Sequence, residues 1–344
     1  MRILLEAHHP AHVHFWKNPA SELLGRGNEV LMLARDRDVM RQLLDRHDWI
    51  PRHIPRRHRQ GNRFPLLEML LRQTEVAKSI HRFRPRVVAS IAGSYCQSAR
   101  LLGCRNIIFT DSEFQHFNHA IAHPFAHEIH TPYCFYKDLG SKQKTYRGIH
   151  ELSFLSEKRF RPDGRILEDH PGIRPNNYVL IRLSAWNTFH DIRHHGVGKK
   201  VLKFIERFKE RYRIIISAEE DCLPPELKQY ASPFAPDQLH HVLALARFVL
   251  TEGASTASEA ACLGTPTVYI NSTEPRGYLQ MLESSYGLVH NFREADPGIS
   301  DAINWLDQLD DAEVARFKSL RSRVSGDHVD VATYVADTLE EASK

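Results

Sequence analysis

Short apolar runs alternate along the chain with longer stretches in which apolar positions recur every three or four residues. The runs "RILLEA" (2–7), "EVLMLA" (29–34), "RVVASIA" (86–92) and "NIIFT" (106–110) are nearly continuous in apolar character, as strands buried on both faces of a parallel sheet require. Between them, "HVHFWKNPASELLGRG" (12–27) and "FPLLEMLLRQTEVAKSIHRF" (64–83) have helical spacing, with Gly25 and Gly27 as stop signals. A second series runs "YVLIRLS" (178–184), "RIIIS" (213–217), "RFVLTEG" (247–253) and "PTVYIN" (266–271). Helical segments separate these runs too, and in "VLKFIERF" (201–208) Val201, Phe204, Ile205 and Phe208 share one face.

The two series are divided by "RPDGRILEDHPGIRPNN" (161–177), where Pro162, Gly164, Pro171, Gly172 and Pro175 break regular structure. Strands alternating with helices predict βα units around parallel sheets. At 344 residues the chain exceeds what one core usually fills. The expectation is an α/β protein of two Rossmann-like domains facing across a cleft, with the boundary near residue 165. Ligands of such domains bind beyond the C-terminal ends of the strands, so the chemistry belongs just after them.

Composition is that of a soluble globular chain, 42% hydrophobic and 26% charged. No apolar run approaches the roughly 18–20 residues of a membrane span. The N-terminus "MRILLEAHHP" lacks the make-up of a signal peptide, which predicts a cytoplasmic protein. Five widely spaced cysteines with no C-x-x-C pair argue against a disulfide framework and a cysteine zinc site. The net charge of +4 is uneven: Arg52, Arg56, Arg57, Arg59 and Arg63 fall in one acid-free segment. Such a run suits phosphates of an anionic membrane surface or of nucleic acid, or is simply a solvated loop. With "PLLEMLL" (65–71) behind it, peripheral attachment at the inner face of a membrane is the partner it suggests. Nucleic acid is not expected, because no aromatic RNA-binding signature accompanies the arginines.

The most informative segment is "FVLTEGASTASEAACLGTPTVYINSTEPRGY" (248–278). A strand ends at Thr251, and the small residues Gly253, Ala254, Ser255 and Thr256 turn the chain into a helix. Free backbone N–H groups at that helix start would hold a phosphate or diphosphate. Glu259, one turn in, could accept hydrogen bonds from two ribose hydroxyls. The plainer alternative is Ser255 as an N-cap and Glu259 as a surface acid.

Histidines mark the first domain. "EAHHPAHVHFWKNP" (6–19) holds His8, His9, His12 and His14 directly behind the first strand, and "EFQHFNHAIAHPFAHEIH" (113–130) holds His116, His119, His123 and His127 at helical spacing. Zinc is one explanation, but Pro124 interrupts that helix and no H-E-x-x-H occurs, so no metal is expected. Asp111 and Glu113 follow the strand "NIIFT" as candidate acid–base groups, unless Asp111 or Ser112 merely caps the next helix. Arg182 leaves the first strand of the second domain, where it could contact a diphosphate; His190 and Asp191, with Trp186 and Phe189, follow it.

The 251–264 segment resembles the donor-binding motif of GT-B nucleotide-sugar enzymes, including UDP-N-acetylglucosamine 2-epimerase and the N-acetylglucosaminyltransferase of lipid II synthesis. In those enzymes the small-residue turn meets the diphosphate and the helix glutamate binds the ribose. Over nearly its whole length the chain is more similar to domain-of-unknown-function family 354, which is GT-B-like. That likeness rests on "HHPAHVHFWKN" (8–18), "FTDSE" (109–113), "GIHELSFL" (148–155), "IRLSAWNTFHD" (181–191), 251–264 and "GDHVDVATYV" (326–335).

"PAHVHF" (10–15) resembles the acceptor-side loop of the lipid II enzyme, which makes His12 or His14 the implied base. His8, His9 and Pro10 replace that loop's glycines. Glu113 resembles a carboxylate of the 2-epimerase, but Gly93 and Ser94 stand where that enzyme has an aspartate. In "STEPRGY" (272–278), Thr273 and Glu274 carry over from the epimerase and Arg276 does so more weakly.

The resemblance implies a GT-B fold with domains 1–165 and 166–327 and a last helix, 328–344, returning to the first domain. It also implies a glycosyltransferase of cell-surface polysaccharide or glycolipid assembly. Its UDP-sugar would be substrate, its acceptor a glycan or lipid-linked sugar, and no cofactor or metal would be needed. A UDP-sugar epimerase or hydrolase using Glu113 and Asp111 is the second expectation, and a nonenzymatic nucleic-acid or membrane binder the third.

Overall fold

The structure, a computed structural model, describes residues 1–35, 40–54, 65–91, 93, 96–183, 197, 200–218 and 223–344. It divides into two compact units, Met1–Phe154 with His328–Lys344, and Leu155–Asp327.

In the N-terminal unit the described strands are β1 (Arg2–Ala7), β2 (Glu29–Ala34), β3 (Arg52–His53), β4 (Val87–Ile91), β5 (Arg105–Phe109), β6 (Glu128–Pro132) and β7 (Gln143–Tyr146). They form a parallel sheet in the order β3-β2-β1-β4-β5-β6-β7. Chain order reverses between β1 and β4, so the C-terminal ends of those strands border a topological switch point. Helices α1 (Pro10–Gly25), α2 (Met40–Arg46), α3 (Pro65–Phe83), α4 (Cys96–Leu101), α5 (His116–Ala122) and α6 (Leu152–Leu155) connect or follow the strands. Leu4, Leu33 and Val88 of the sheet pack with Val76 and Ile80 of α3 and Ala99 of α4. A second cluster joins Ile108 and Ile129 to Cys96, Ala122 and Ala126.

In the C-terminal unit β8 (Tyr178–Leu183), β9 (Arg213–Ala218), β10 (Phe248–Thr251), β11 (Thr267–Ile270) and β12 (Val289–Phe292) form a parallel sheet, ordered β12-β11-β10-β8-β9 among the described residues. Its order reverses between β8 and β10. The helices are α7 (Val201–Phe208), α8 (Leu239–Leu245), α9 (Ala254–Cys262), α10 (Gly277–Tyr286), α11 (Ala295–Gln308) and α12 (Asp311–Gly326). The predicted face of α7 is buried, with the Phe204 ring 5.0 Å from Phe208 and 6.2 Å from Phe248.

Behind α9 the chain turns at Gly264, whose φ of +74° lies in the left-handed region; a Cβ there would meet the Phe317 carbonyl oxygen at 2.7 Å. The backbone of α12 therefore passes directly over this turn. Lys318 secures the crossing by donating to the carbonyls of Ala244 (2.7 Å) and Ala246 (2.9 Å) and to Thr265 Oγ1 (2.6 Å).

The last helix, α13 (Val331–Ala342), belongs to the N-terminal unit. Val331, Ala332, Val335, Ala336 and Leu339 are fully buried. On its polar side Thr333 Oγ1 donates to Glu22 (2.9 Å), and Arg26 of the turn after α1 reaches Asp337 (2.6 Å) and Glu340 (3.2 Å).

Four strands lie outside the apolar runs read from the sequence: β3, β6, β7 and β12. The edge strand β7 ("QKTY") presents only Tyr146 as a buried residue, so it carries no apolar run. β6 ("EIHTP") lies inside the histidine-rich stretch, which does not continue as one helix. α5 ends at Ala122, a 3-10 turn spans His123–Phe125, and strand geometry begins at Glu128. His119 and His123 stack at 4.5 Å, whereas His127 turns away and its Nδ1 accepts from the Asn106 N–H at 3.0 Å. His130 bonds the Tyr334 hydroxyl at 2.7 Å, tying β6 to α13. Among the described residues no helix is long and apolar enough to cross a membrane.

Candidate functional site

In the N-terminal unit two residues, His8 and His9, join β1 to α1 at the switch point. Pro10 fits the first helical position, which needs no N–H, and the His9 side chain caps the helix by accepting from Ala11 N–H at 3.2 Å. The last residues of β1 are not all apolar. Glu6 is fully buried, and its Oε1 lies 2.6 Å from His8 Nδ1, while Oε2 is buried without a hydrogen-bond partner among the described residues. Trp16 Nε1 donates to the Glu6 carbonyl at 2.8 Å, fixing the start of α1 against the strand.

His12 packs edge-on against the His8 ring, with centroids 4.1 Å apart, and its Nδ1 is buried without a partner among the described residues. Burial first, then the nearby imidazoles of His8, His9 and His150, hold its pKa well below the usual histidine value. His14 lies on another side of α1, stacked over Phe154 at 5.5 Å.

A second polar cluster gathers beyond β5. Asp111 Oδ2 is 3.2 Å from His150 Nδ1, and the His150 ring lies 4.5 Å from Phe15. Burial opposes charge on His150, yet Asp111 and Glu151 outweigh it and raise the pKa. Glu113 is fully buried, and its backbone carbonyl accepts from Lys137 Nζ at 2.7 Å. Nearby, Cys134 is pushed up to about 12 by burial, with Glu113, Glu151 and Asp111 contributing. Asp111, Glu151 and His150 thus form an acid–imidazole cluster beyond β5, with Glu113 buried close by in sequence.

In the C-terminal unit the switch point is bordered by the ends of β8 and β10. Arg182 Nη1 donates to Ser217 Oγ at 2.7 Å. Glu252 is almost fully buried and accepts from the Val197 N–H at 2.6 Å. Gly253 caps α9 by its backbone, and no side chain caps that helix among the described residues. The N–H groups of its first turn have no partner within the helix and lie beside exposed Ser255 and buried Thr256. Glu259, one turn further, is buried with its Oε1 3.3 Å from His240 Nε2. It is neither a surface acid nor a cap. Asn271 Nδ2 donates to the Glu252 carbonyl (2.9 Å) while its Oδ1 accepts from Thr273 N–H (2.9 Å), which fixes the loop after β11 beside the α9 turn. Arg276 Nη1 reaches Tyr269 Oη (2.7 Å) and Thr273 Oγ1 (3.2 Å), and Glu274 is exposed.

Residues 1–308 match the family described as "Protein of unknown function (DUF354)". The chain belongs to that family.

Solved structures extend the likeness. The UDP-GlcNAc 2-epimerase from Neisseria meningitidis, bound to UDP-GlcNAc, superposes with a TM-score of 0.68 at 11% identity, covering 99% of both chains. A putative UDP-N-acetylglucosamine 2-epimerase from Listeria monocytogenes gives 0.69 at 12% identity, covering 99% of this chain and 95% of that one. MurG from Acinetobacter baumannii gives 0.60 at 14% identity, with 99% of each chain covered. These likenesses establish the glycosyltransferase-like GT-B fold for this family member. A search of curated proteins gives no match.

Within each unit, the sequence candidates cluster: His12 near His8 and His9; Asp111 and Glu113 beyond β5; and Arg182, Gly253, Ser255, Thr256, Glu259, Thr273 and Glu274 after β8, β10 and β11. His14 stands apart from His12. Glu6, His150 and His240 are not among those candidates: a lone acid in an apolar strand does mark Glu6, whereas nothing in the local sequence marks His150 as the partner of Asp111 or His240 as the neighbour of Glu259. Trp186, Phe189, His190, Asp191 and Ser94 lie outside the described residues, as do Arg56, Arg57, Arg59 and Arg63. Arg52 is described and pairs with Asp45 at 2.7 Å. No group of three His, Cys, Asp or Glu residues is placed to hold a metal among the described residues. A cavity of about 480 Å³ lies elsewhere in the C-terminal unit, lined by Tyr286, His290, Trp305 and Phe317 among others, and holds none of the candidates.

Proposed function

We propose that the protein is a nucleotide-sugar-dependent glycosyltransferase using a UDP-sugar, acting in cell-surface polysaccharide or glycolipid assembly. The observation that carries this reading is the start of α9: a helix N-terminus with no side-chain cap among the described residues, at a sheet switch point, with buried Glu259 one turn inside. Backbone N–H groups of residues 254–256 would hold the diphosphate, Arg182 would add charge, and Glu259 would accept from the ribose hydroxyls. The Neisseria structure holds UDP-GlcNAc on the same fold. Helix dipole and arginine stabilise the departing diphosphate without a bound metal. His12 or His14 takes the acceptor's proton.

Calorimetric titration of metal-free protein with UDP, UDP-N-acetylglucosamine and other nucleotides tests the donor site. Binding selective for uridine compounds is expected; absence of all nucleotide binding would remove the reading.

A second reading, a UDP-sugar epimerase or hydrolase, is favoured by the Asp111–His150 pair and buried Glu113 beyond β5. It predicts turnover of the UDP-sugar without an acceptor. Against epimerisation stands Gly93, whose φ of +82° disfavours an aspartate there and whose Cβ position, 2.7 Å from Ile108 Cδ1 and 2.8 Å from Ala122 Cβ, would require those side chains to shift.

A further inference from the structure

We propose that the cavity lined by Tyr286, His290, Trp305 and Phe317 is a second ligand site, which takes a neutral oligosaccharide apart from any nucleotide. The inference goes beyond the glycosyl-transfer reading and does not depend on it, because every group involved belongs to α10, β12, α11 and α12 of the C-terminal unit.

The place of the cavity follows from the sheet. β12 pairs in parallel with β11, and β11 with β10, so the turn at Tyr286 and Gly287 that leads into β12 marks the sheet edge opposite the start of α9. The four residues of β12 separate the two edges, by about 13 Å at the usual strand rise. A ligand here leaves the first turn of α9 open. At about 480 Å³ the cavity falls within the roughly 300–1,000 Å³ of ordinary small-molecule sites.

Its walls are of two kinds. Buried Tyr286, Leu309 and Phe317, with half-buried Trp305, supply apolar and aromatic surface. Glu313, Arg316, Gln308 and His290 supply planar polar groups on the more exposed side. The two charges cancel, since Arg316 Nε and Nη2 donate to the two oxygens of Glu313 at 3.0 and 2.9 Å. A charged ligand would have to break that pair, and a purely aliphatic one would cover polar groups without bonding them. A neutral sugar suits both walls. Its weakly positive C–H groups match the negative faces of aromatic rings, and its neighbouring hydroxyls donate and accept, as a carboxylate beside a guanidinium requires.

These groups are fixed before a ligand arrives, which lowers the entropy lost on binding. His290 Nδ1 is held by Asp301 at 2.7 Å, and its ring lies on Trp305 with centroids 3.9 Å apart and planes at 19°. Nε2 is then the ring atom left for a hydroxyl. Phe248 and Phe317 meet the same indole edge to face, at 90° and 66°. The Arg316 guanidinium rests over the Phe317 ring at 4.4 Å.

The test reads the site directly in the whole protein. Nitrogen-15 NMR resolves the indole N–H signals of the four tryptophans, and Trp305→Phe assigns that of Trp305 by its loss. Maltose, cellobiose and N,N′-diacetylchitobiose are titrated with and without saturating UDP. At least one should move the Trp305 signal saturably under both conditions. Arg316→Ala and Glu313→Gln, on the exposed side, should weaken that sugar about tenfold at unchanged Tm, the loss of one charge-assisted hydrogen bond. No saturable shift with any of the three sugars overturns the proposal, as does an affinity that neither variant changes. An equal response to uridine also overturns it and makes the cavity a site for planar aromatic molecules. Competition by UDP would assign the sugar to the start of α9, overturning this site while keeping the donor site. A Trp305 shift in protein that binds no UDP would keep this site and remove the glycosyl-transfer reading.

Discussion

Asp111 Oδ2 lies 3.2 Å from His150 Nδ1, with the two side chains 17% and 8% exposed. Burial alone would drive the imidazole neutral, so the raised pKa of His150 depends on Asp111. Asp111→Asn should therefore bring His150 below its ordinary 6.5. Because the folded value exceeds the unfolded one, this pair's stabilisation is complete below the unfolded pKa and fades as pH rises through the folded one. Proton NMR titration of His150 in both proteins checks it; an unmoved midpoint would show that Asp111 is not the cause.

His123 gives the opposite limb. Burial, then His119 and Lys142, lower it to about 4. A histidine depressed in the fold stabilises fully above its unfolded pKa near 6.5, and that contribution is lost as pH falls through about 4. Thermal melts from pH 7 to pH 4 should show falling Tm, with a shallower fall in His123→Phe. Equal slopes would assign the acid limb to other groups, of which His12 and His119 are the first to examine.

The two packing joints around α12 and α13 should differ in how they fail. Gly264→Ala forces a left-handed residue, at about 1–2 kcal/mol, and adds a carbon facing backbone rather than a movable side chain. Leu339→Ala empties a fully buried site on α13 and should cost about 2–5 kcal/mol. Arg26→Ala, in a partly exposed ion-pair network, should lose under about 1 kcal/mol. Urea unfolding of the three variants ranks them, and an Arg26 effect as large as that of Leu339 would reverse this view of how α13 is held.

The strands β1, β2, β4, β5, β8, β9, β10 and β11 were legible because each is a short, mainly apolar run bounded by turn signals. β7 has one buried residue in four, and β6 mixes Glu128 with a histidine, so neither stands out from a loop. The α9 turn was readable because its chemistry is local: strand, small residues, helix and Glu259 fall within twelve residues. Pairings such as Asp111 with His150, or Glu259 with His240, join residues that only the folded sheet brings together. Glu6 was legible in principle. An acid among "RILLEA" breaks the pattern, but strand-end acids often reach solvent, and only the structure shows this one buried against His8.

Glu259 offers a sharper test of the donor site than loss of binding alone. If its carboxylate accepts from ribose hydroxyls, Glu259→Ala should weaken UDP about tenfold, roughly 1.4 kcal/mol for a charge-assisted hydrogen bond. Wild-type protein should then discriminate against 2′-deoxyuridine diphosphate by a similar factor, and the alanine variant should bind both nucleotides alike. His240 Nε2 lies 3.3 Å from Oε1 without a hydrogen-bonding geometry, so His240→Asn should weaken UDP less and keep part of the discrimination. These titrations form a thermodynamic cycle between a side chain and a single hydroxyl. Equal discrimination in wild type and Glu259→Ala would mean that the ribose is read elsewhere, even if UDP binds at the start of α9.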